Sequence, residues 1–456
     1  MPRARLGSRL GFILLSAGCA IGIGNVWRFP YMAGQNGGAI FVVIYLICLA
    51  ALGIPAMTME FAMGRAAQKS IVKLYDEIEP KKSKWHIHGK VCFAGNVILM
   101  MFYTTVAGWM LYYFVKMIKG DFVAASSEAV GEQFGNMLSN PGPMILFVGI
   151  VVAMGFFVCA GGVAERLEVV TKWMMIALMA IMVILVINSF RMDGAAEGLK
   201  FFLVPSVEKV KEAGLAKVVL GALNQSFFTL SIGMGSMAIF GSYIGKQRSL
   251  LGESVNVAVL DTIIAIASGL IIFPTCFSYG VEVSSGPSLI FVTLPNIFAN
   301  MPGGRIWGAM FFLFMSFAAL STVFAVFENI ISCTLDITKL SRKKACIIDG
   351  ILMFLLSLPC VLGFNVWSKF EPFAEGSGIM DLEDFIVSNL ILPIGCIIFI
   401  IFCTSKYGWG WKKFLEEANE GRGLKIAKWL RPYMAYVMPV IIAIVLIVGL
   451  INFDFG

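Results

Sequence analysis

The sequence predicts an all-α integral membrane protein with about eleven transmembrane helices. Of its 456 residues, 59% are hydrophobic and 14% are charged, whereas a soluble protein carries roughly 25% charged residues. Apolar stretches of about 20 residues recur along the chain, and each can cross a hydrocarbon layer about 30 Å thick. These stretches are expected to be helices, because an open sheet would leave backbone polar groups unsatisfied in lipid.

The predicted spans follow one another with no soluble domain between them. Their approximate limits are residues 9–31, 38–64, 91–118, 143–161, 169–190, 217–243, 255–280, 305–335, 345–363, 384–404 and 433–452. The loops after the second, eighth and tenth spans are basic, whereas the 281–304 loop has no lysine or arginine. The positive-inside rule therefore predicts a cytoplasmic N-terminus, and an odd number of spans places the C-terminus outside. Because the positive charge reports topology, no nucleic-acid partner is expected.

The cysteines and histidines give no sign of a structural metal site. Nearly all of the ten cysteines lie in apolar segments without a CxxC pair, so they are expected to be small core residues. His86 and His88 fall in a lysine-rich stretch. They are predicted to lie in a solvated loop.

The first and sixth spans contain residues that favour a break in the helix. Three glycines lie between residues 18 and 24, and Gly233 and Gly235 lie in the sixth span. Each glycine lowers helix stability by about 1 kcal/mol, and interrupted spans in corresponding halves of a chain point to a transporter site. Close packing of small residues is the alternative explanation. Neighbouring polar side chains favour the transporter site; they are Asn25, Arg28, Thr229 and Ser231.

Two carboxylates within the apolar spans also indicate function, because a charge at the bilayer centre costs about 2.5–3.5 kcal/mol. Glu60 could accept hydrogen bonds from the backbone of a broken helix. Asp261 has no basic neighbour in its span, so a cation is its expected partner; an interhelical hydrogen bond made in the protonated form is the alternative. Ser321 and Thr322 could add oxygen ligands for a hard cation, although such hydroxyls also bond the preceding turn.

Four stretches of the sequence resemble the neurotransmitter:sodium symporter family, the group that contains LeuT. They are SRLGFILLSAGCAIGIGNVWRFPYMAGQNGGAIF, GIPAMTMEFAMGR, FFTLSIGMG and MDLEDF. The resemblance extends over essentially the whole chain and implies the bacterial eleven-helix branch that transports hydrophobic amino acids. It implies a LeuT-type fold with helices 1 and 6 unwound in mid-membrane. Two inverted five-helix repeats would span about residues 9–190 and 217–404, followed by a helix at about 433–452.

The resemblance also implies two sodium sites. The first would use the carbonyl of Ala20 with the side chains of Asn25, Thr229 and Asp261. The second would use the carbonyls of Gly18, Ile21 and Ala318 with the hydroxyls of Ser321 and Thr322. Glu60 would support the unwound backbone.

An amino-acid site is implied beside the first sodium. The substrate carboxylate would meet the sodium ion, the Gly24 amide and the Tyr103 hydroxyl. The full set of implied substrate residues is Ala20, Ile23, Gly24, Leu99, Tyr103, Phe228, Thr229, Ser231, Met234, Thr322, Ala325 and Val326. The side-chain pocket formed by this set is apolar and carries no fixed charge, so the expected substrate is a hydrophobic or aromatic L-amino acid.

Charge pairs are expected to close the site on each side. Arg28 and Asp384 resemble the family's outer pair. Arg3 or Arg5 with Asp336 resembles the inner pair, which Tyr243 would support. Exposed ion pairs are worth only about 0–1 kcal/mol, which suits gates that must open.

Three departures from the family pattern stand out. Asp261 occupies a position where many members have asparagine, so its charge could replace chloride, and transport is predicted to be chloride-independent. Leu6 stands where a tryptophan is expected, which weakens the implied inner latch. The fifth span has no proline, so unwinding there would depend on the glycines upstream.

The predicted function is sodium-coupled symport of a hydrophobic or aromatic L-amino acid by alternating access in a bacterial-type plasma membrane. A passive channel would need a continuous polar lining, whereas the polar residues here gather at one depth. A membrane enzyme is disfavoured because no HExxH, GxSxG or phosphate-loop motif is present. A non-transporting amino-acid sensor of the same fold remains the alternative.

Overall fold

The computed structural model describes residues 6–280, 288–373 and 375–451. These residues form helices, and the strand pairing among them is limited to one isolated bridge between Arg248 and Arg422. Nine of the described helices are long and apolar enough to cross a membrane, and one bent pair adds a tenth. The all-helical membrane fold is therefore confirmed.

The helices are labelled in chain order. They are α1 Arg9–Ala20, α2 Gly24–Gln35, α3 Ala39–Ala67, α4 Ile71–Ile78, α5 His86–Lys119, α6 Ser127–Ser139, α7 Pro141–Ala160, α8 Val163–Ser189, α9 Ala195–Leu203, α10 Val207–Ala213, α11 Leu215–Thr229, α12 Ser236–Gly241, α13 Leu250–Ser278, α14 Leu289–Asn300, α15 Gly304–Thr338, α16 Arg342–Gly363, α17 Ile379–Thr404, α18 Trp411–Ala418 and α19 Lys428–Ile451. The predicted sixth span corresponds to α11 and α12, each shorter than a membrane crossing. The count of eleven thus stays a prediction.

Burial divides the long helices into central and peripheral ones. Most of the apolar length of α15, α5 and α13 is buried, whereas α19 exposes most of its surface. From Val437 onward its large exposed side chains are aliphatic, as at Ile444 and Ile447. Such a surface suits lipid, because hydrocarbon replaces water as the medium outside the bundle.

Two helix interruptions occur at the positions that the glycines predict. The axes of α1 and α2 differ by 57° across a short break. Residues 230–235 leave the helical conformation between α11 and α12, with φ of +50° at Ser231, +102° at Gly233 and +70° at Gly235. Left-handed backbone is easily adopted by glycine, which explains the two glycines in this segment.

A buried arginine connects the end of α3 to α18. Arg65 is 2% exposed, and its Nε donates to Glu417 Oε1 at 2.6 Å. Its Nη1 donates to the Arg248 carbonyl at 2.8 Å, and its Nη2 donates to the Glu417 carbonyl. Three segments far apart in sequence therefore depend on one guanidinium.

The prediction of a solvated loop for the two histidines is wrong. Helix α5 begins at His86, and His88 is only 7% exposed. The His88 Nδ1 lies 2.7 Å from the Tyr75 hydroxyl. The helix extends beyond the apolar stretch because α4 and α17 pack against its first turns, which a charge pattern alone does not reveal.

Replacing Arg65 with methionine should lower the free energy of unfolding by about 3–5 kcal/mol, because Glu417 would be left without its buried partner. Thermal unfolding of the purified protein in detergent measures the effect. Lys73→Met is the matched control, since Lys73 pairs with Asp76 at an exposed position and should change stability by less than about 1 kcal/mol. Equal melting temperatures for the two variants would contradict the stabilising role of Arg65.

Candidate ion and substrate sites

The two helix interruptions contact each other. The Ser231 hydroxyl donates to the Cys19 carbonyl at 3.2 Å, and the Gln225 amide nitrogen donates to the Gly24 carbonyl at 2.9 Å. A Cβ atom at Gly24 would lie 2.9 Å from the Phe228 ring. Backbone groups released from helical pairing therefore find partners on the opposite broken helix.

A buried carboxylate lies next to this junction. The Asn25 Nδ2 donates to Asp261 Oδ1 at 2.7 Å and to the Thr229 hydroxyl at 3.0 Å. The Thr229 hydroxyl is also 3.0 Å from Asp261 Oδ2, and the Tyr45 hydroxyl is 3.4 Å from it. The structure thus brings together the three side chains predicted for the first sodium site. The described residues place no lysine or arginine in ion-pair contact with Asp261.

A second group of oxygen atoms lies where α15 meets the end of α1. The Thr322 hydroxyl is 3.3 Å from the carbonyls of both Gly18 and Ile21. The Ser321 hydroxyl is 3.2 Å from the Ile21 carbonyl and 2.9 Å from that of Ala318. All five residues predicted for the second sodium site therefore gather in one buried place, and every polar atom among these contacts is an oxygen.

Glu60 supports the break between α11 and α12. Its Oε1 accepts from the Gly233 amide at 2.6 Å, and its Oε2 accepts from the Met237 amide at 3.2 Å. The carboxylate therefore replaces carbonyl partners that the interrupted helix lacks. The supporting role of Glu60 stays a prediction, and these two contacts are where it would act.

A small enclosed cavity of about 20 Å³ lies between the two breaks. This volume is about that of a single water molecule, so the walls must separate before an amino acid can enter. Its lining includes eight of the predicted substrate residues: Ala20, Gly24, Leu99, Tyr103, Phe228, Ser231, Met234 and Thr322. It also includes three that sequence reasoning missed, Gly22, Val387 and Leu392. Ile23, Thr229, Ala325 and Val326 do not line it.

The Tyr103 hydroxyl is the polar group that closes this cavity against the first break. The Ile23 amide donates to it at 3.0 Å. A Cβ atom at Gly22 would lie 2.2 Å from this hydroxyl and 2.5 Å from that of Thr322. Glycine is thus required at position 22, a role that its place among the three glycines of the first span could have indicated.

A larger cavity of about 260 Å³ lies on the other side of Phe228 and Tyr103. Arg28 and Asp384 both line it, but no ion pair joins them. The Arg28 guanidinium lies 4.3 Å from the centre of the Phe228 ring, and Asp384 accepts from the Ser388 hydroxyl at 2.6 Å. The predicted outer pair therefore faces a common cavity without closing it.

Two of the predicted inner-gate residues, Asp336 and Tyr243, make hydrogen bonds within the part of the chain that the structure describes. Arg3 and Arg5 lie outside the described residues. Asp336 accepts from the Ser70 amide at 2.8 Å, and the Tyr243 hydroxyl donates to Glu328 Oε1 at 2.7 Å.

Two contacts made by buried carboxylates were not predicted from the sequence. Glu168 accepts from the Gly7 amide at 2.8 Å and from the Ser8 hydroxyl at 2.9 Å. Arg342 forms an ion pair with Glu328. Glu168 lies just before the predicted fifth span, where a charged residue gives no strong sequence signal, whereas Glu328 lies inside the predicted eighth span and is fully buried, so its carboxylate was a signal that the sequence reasoning missed.

One group of metal-ligating atoms lies apart from these sites. Single ligand atoms of Asp76, Glu79 and His86 fall within 4.8 Å of one another. Glu79 accepts hydrogen bonds from Ser83 and from His86. Partial burial raises the pKa of Glu79, but these hydrogen bonds outweigh it and bring the pKa below its ordinary value. Asp76 is paired with Lys73, so both carboxylates already have partners.

The broken helices around a buried carboxylate define a membrane transporter. The chain belongs to the Sodium:neurotransmitter symporter family, whose model matches residues 3–129 and 131–455. It is 32% identical over 450 residues to YhdH of Bacillus subtilis (strain 168), an uncharacterized sodium-dependent transporter, with 98% of each chain covered. An uncharacterized sodium-dependent transporter of Haemophilus influenzae is 29% identical, with 97% of each chain covered.

A solved structure of another protein matches this chain over nearly its whole length. The crystal structure of MhsT in complex with L-phenylalanine matches with a TM-score of 0.87 and 35% identity, covering 98% of this chain and 99% of MhsT. The LeuT-type fold expected from the resemblance is therefore confirmed. The protein is a multi-pass membrane transporter coupled to sodium, and it is not an enzyme.

Replacing Glu60 with glutamine should destabilise the 230–235 segment. The amide would present one acceptor instead of two, which leaves a buried N–H without a partner at a cost of about 1–3 kcal/mol. Hydrogen exchange should speed up at the amides of Gly233 and Met237. Glu77→Gln, at an exposed carboxylate, is the control and should leave both exchange rates unchanged. Unchanged exchange rates in Glu60→Gln would contradict the view that Glu60 supports the 230–235 backbone.

Proposed function

We propose that the protein imports hydrophobic and aromatic L-amino acids with two sodium ions, without chloride. The main support for this proposal is the buried Asp261 carboxylate, which contacts Asn25 and Thr229 where the two broken helices meet. A buried charge without a basic partner is costly unless a cation compensates it. Sodium fits because it is a hard cation for which carboxylate, carbonyl and hydroxyl oxygens are suitable ligands.

At the first ion site, an ion would replace hydrogen bonds that the side chains now make with one another. The Asn25 amide nitrogen faces Asp261, while its oxygen accepts from the Gly22 amide at 3.0 Å. Sodium binding would require this amide to turn, so that its oxygen joins those of Asp261, Thr229 and the Ala20 carbonyl. The substrate carboxylate would then meet the ion, the Gly24 amide and the Tyr103 hydroxyl.

The second ion site would use the oxygen group on α15 and the end of α1. Thr322 and Ser321 present hydroxyls to the carbonyls of Gly18, Ile21 and Ala318. A sodium ion there would hold α1 against α15. Its loss toward the cytoplasm would release α1 and open the inner side.

The substrate class follows from the lining of the small cavity. Leu99, Phe228, Met234, Val387 and Leu392 present apolar side chains, and none of its lining residues is charged. Methionine is flexible and adapts to side chains of different shape. MhsT, which is 35% identical, was crystallised with L-phenylalanine, and this supports an aromatic or aliphatic substrate.

Chloride independence rests on the fixed charge of Asp261. A carboxylate beside the first ion supplies the negative charge that a bound chloride would otherwise bring. The first sodium and the substrate would then bind as a neutral group around Asp261. An uncharged residue at this position would remove that compensation.

The proposed cycle is alternating access between two inverted repeats at about residues 9–190 and 217–404, with the N-terminus cytoplasmic and the C-terminus outside. The 260 Å³ cavity below Arg28 and Asp384 would be the outer vestibule, and their pairing would close it. Two positive charges moving down 100 mV supply about 4.6 kcal/mol. That is enough for about 10³-fold accumulation of a zwitterion.

A non-transporting amino-acid sensor is the second candidate. Leu6 in place of the expected tryptophan favours it, because the inner latch would be weakened. The Leu6 amide is 3.5 Å from the Tyr243 carbonyl, a contact that needs no particular side chain. A sensor would bind the amino acid without accumulating it.

Proteoliposomes with an inward sodium gradient should accumulate radiolabelled tryptophan and leucine, while an inward potassium gradient should not drive uptake. Replacing chloride with gluconate should leave the uptake unchanged. Asp261→Ala should abolish accumulation, because the first ion would lose its charged ligand. Asp193→Ala, at an exposed carboxylate, is the matched control and should transport like the wild type.

Each outcome of this experiment has a separate meaning. Binding without accumulation would establish the sensor. Uptake that requires chloride would contradict the role given to the Asp261 charge. Uptake indifferent to sodium would mean that the two oxygen groups are not ion sites.

Competition against labelled leucine should separate amino acids by side-chain class. Leucine, isoleucine, phenylalanine, tyrosine and tryptophan should compete, because the cavity lining is apolar. Lysine and glutamate should not, since a buried charge would have no partner in that lining. Glycine should compete weakly, as each lost methylene costs a hydrophobic site about 1–3 kcal/mol. Strong inhibition by lysine or glutamate would contradict the proposed substrate class.

A further inference from the structure

A groove of about 550 Å³ lies between the first turns of α5 and the second half of α17. Its volume is within the range of sites that hold small ligands. None of the ion or substrate residues described above lines it. Its walls are aliphatic except near one end, where Lys84, Trp85 and His88 contribute.

The aliphatic walls suit a hydrocarbon chain. Ile87, Val91 and Ile394 line the groove and are 51%, 46% and 42% exposed. Along α17 the lining residues run from Leu390 to Ile398, a length of about 12 Å at the rise of an α-helix. In a membrane these side chains would face lipid, so a chain lying along α17 could reach the groove from the bilayer.

The mouth of the groove is basic. Lys84 is exposed there, and the Trp85 indole donates to the Tyr407 carbonyl at 2.9 Å. Lys406 precedes Tyr407 in the chain, and its ammonium lies 5.0 Å from the Tyr407 ring. Within the described ranges neither Lys84 nor Lys406 forms an ion pair with a carboxylate.

We propose that this groove binds an anionic phospholipid from the surrounding bilayer. One acyl chain lies along α17 between the aliphatic walls, and the phosphate rests near Lys84. The Trp85 ring lies at the level of the head group, where amphipathic aromatic residues are favoured. Basic residues beside a transmembrane groove attract anionic lipids in preference to zwitterionic ones.

The inner wall of the groove supports the broken segment after α11. His88 Nε2 lies 3.4 Å from Cys92 Sγ, which in turn lies 3.8 Å from the Gly233 carbonyl oxygen. A Cβ atom at Gly395 would lie 1.9 Å from the same carbonyl oxygen. A bound acyl chain would therefore press on residues in contact with this segment. Binding should raise the melting temperature, since a ligand that prefers the folded state stabilises it.

The test counts lipids bound to the purified full-length chain by native mass spectrometry. The protein in detergent is titrated with phosphatidylglycerol or with phosphatidylcholine of identical acyl chains. We expect phosphatidylglycerol to be retained in preference, with a matching rise in melting temperature. Lys84→Gln should weaken its retention about fivefold, as expected for one lysine near a head group. Ile394→Trp should fill the groove and lower retention of both lipids.

Two variants serve as matched controls. Lys344→Gln removes an exposed lysine at the start of α16, and Ile447→Trp adds the same bulk at a 55% exposed position of α19. Both should retain phosphatidylglycerol like the wild type. Equal retention of the two lipids by the wild type would overturn the charge recognition. Unchanged retention in Lys84→Gln and Ile394→Trp would overturn the site.

The test can still be decided if one of the variants fails to fold. If Ile394→Trp unfolds, Lys84→Gln still decides, because Lys84 is exposed and outside α5. The measurement involves neither sodium nor an amino acid. It therefore tests the lipid site independently of the proposed transport.

Discussion

Backbone groups released at two helix interruptions must find partners away from water, and this requirement organises the centre of the protein. A buried polar group without a hydrogen bond costs several kcal/mol in an apolar medium. Glu60 accepts from the Gly233 amide, and Gln225 donates to the Gly24 carbonyl. Ser231 joins one break to the other. The interruptions persist because side chains from α3, from α11 and from the 230–235 segment itself replace the missing helical bonds.

The same requirement gathers the oxygen atoms of the two candidate ion sites. Carbonyls at the end of α1 point toward α15, where Ser321 and Thr322 approach them. Asp261 lies at the opposite side of the junction with Asn25. Oxygen atoms gathered in this way form a suitable environment for a hard cation. The candidate ion sites, the candidate substrate cavity and the helix breaks therefore share one small hydrogen-bonded region, in which buried hydrogen bonds strengthen one another.

The residues that the sequence singled out for two ion sites lie together in the structure, but their detailed contacts did not follow from the sequence. Apolar surroundings made Glu60 and Asp261 conspicuous, because a carboxylate in a span requires a compensating partner. The glycine runs indicated both breaks. The Arg28 and Asp384 charges were identified, but Arg28 stacks on Phe228 instead of pairing. Whether two long side chains meet depends on the separation of their helices, which local sequence does not encode.

By itself, the sequence determined the all-helical membrane fold and the class of protein, and it indicated both helix breaks, because hydropathy and glycine content act over a single helix. The tertiary structure decided which atoms face one another. It closed the central cavity to about 20 Å³, buried His88 within α5, and placed Glu168 against the segment that precedes α1. These features depend on contacts between helices far apart along the chain, and only the packing of the whole bundle brings such residues together.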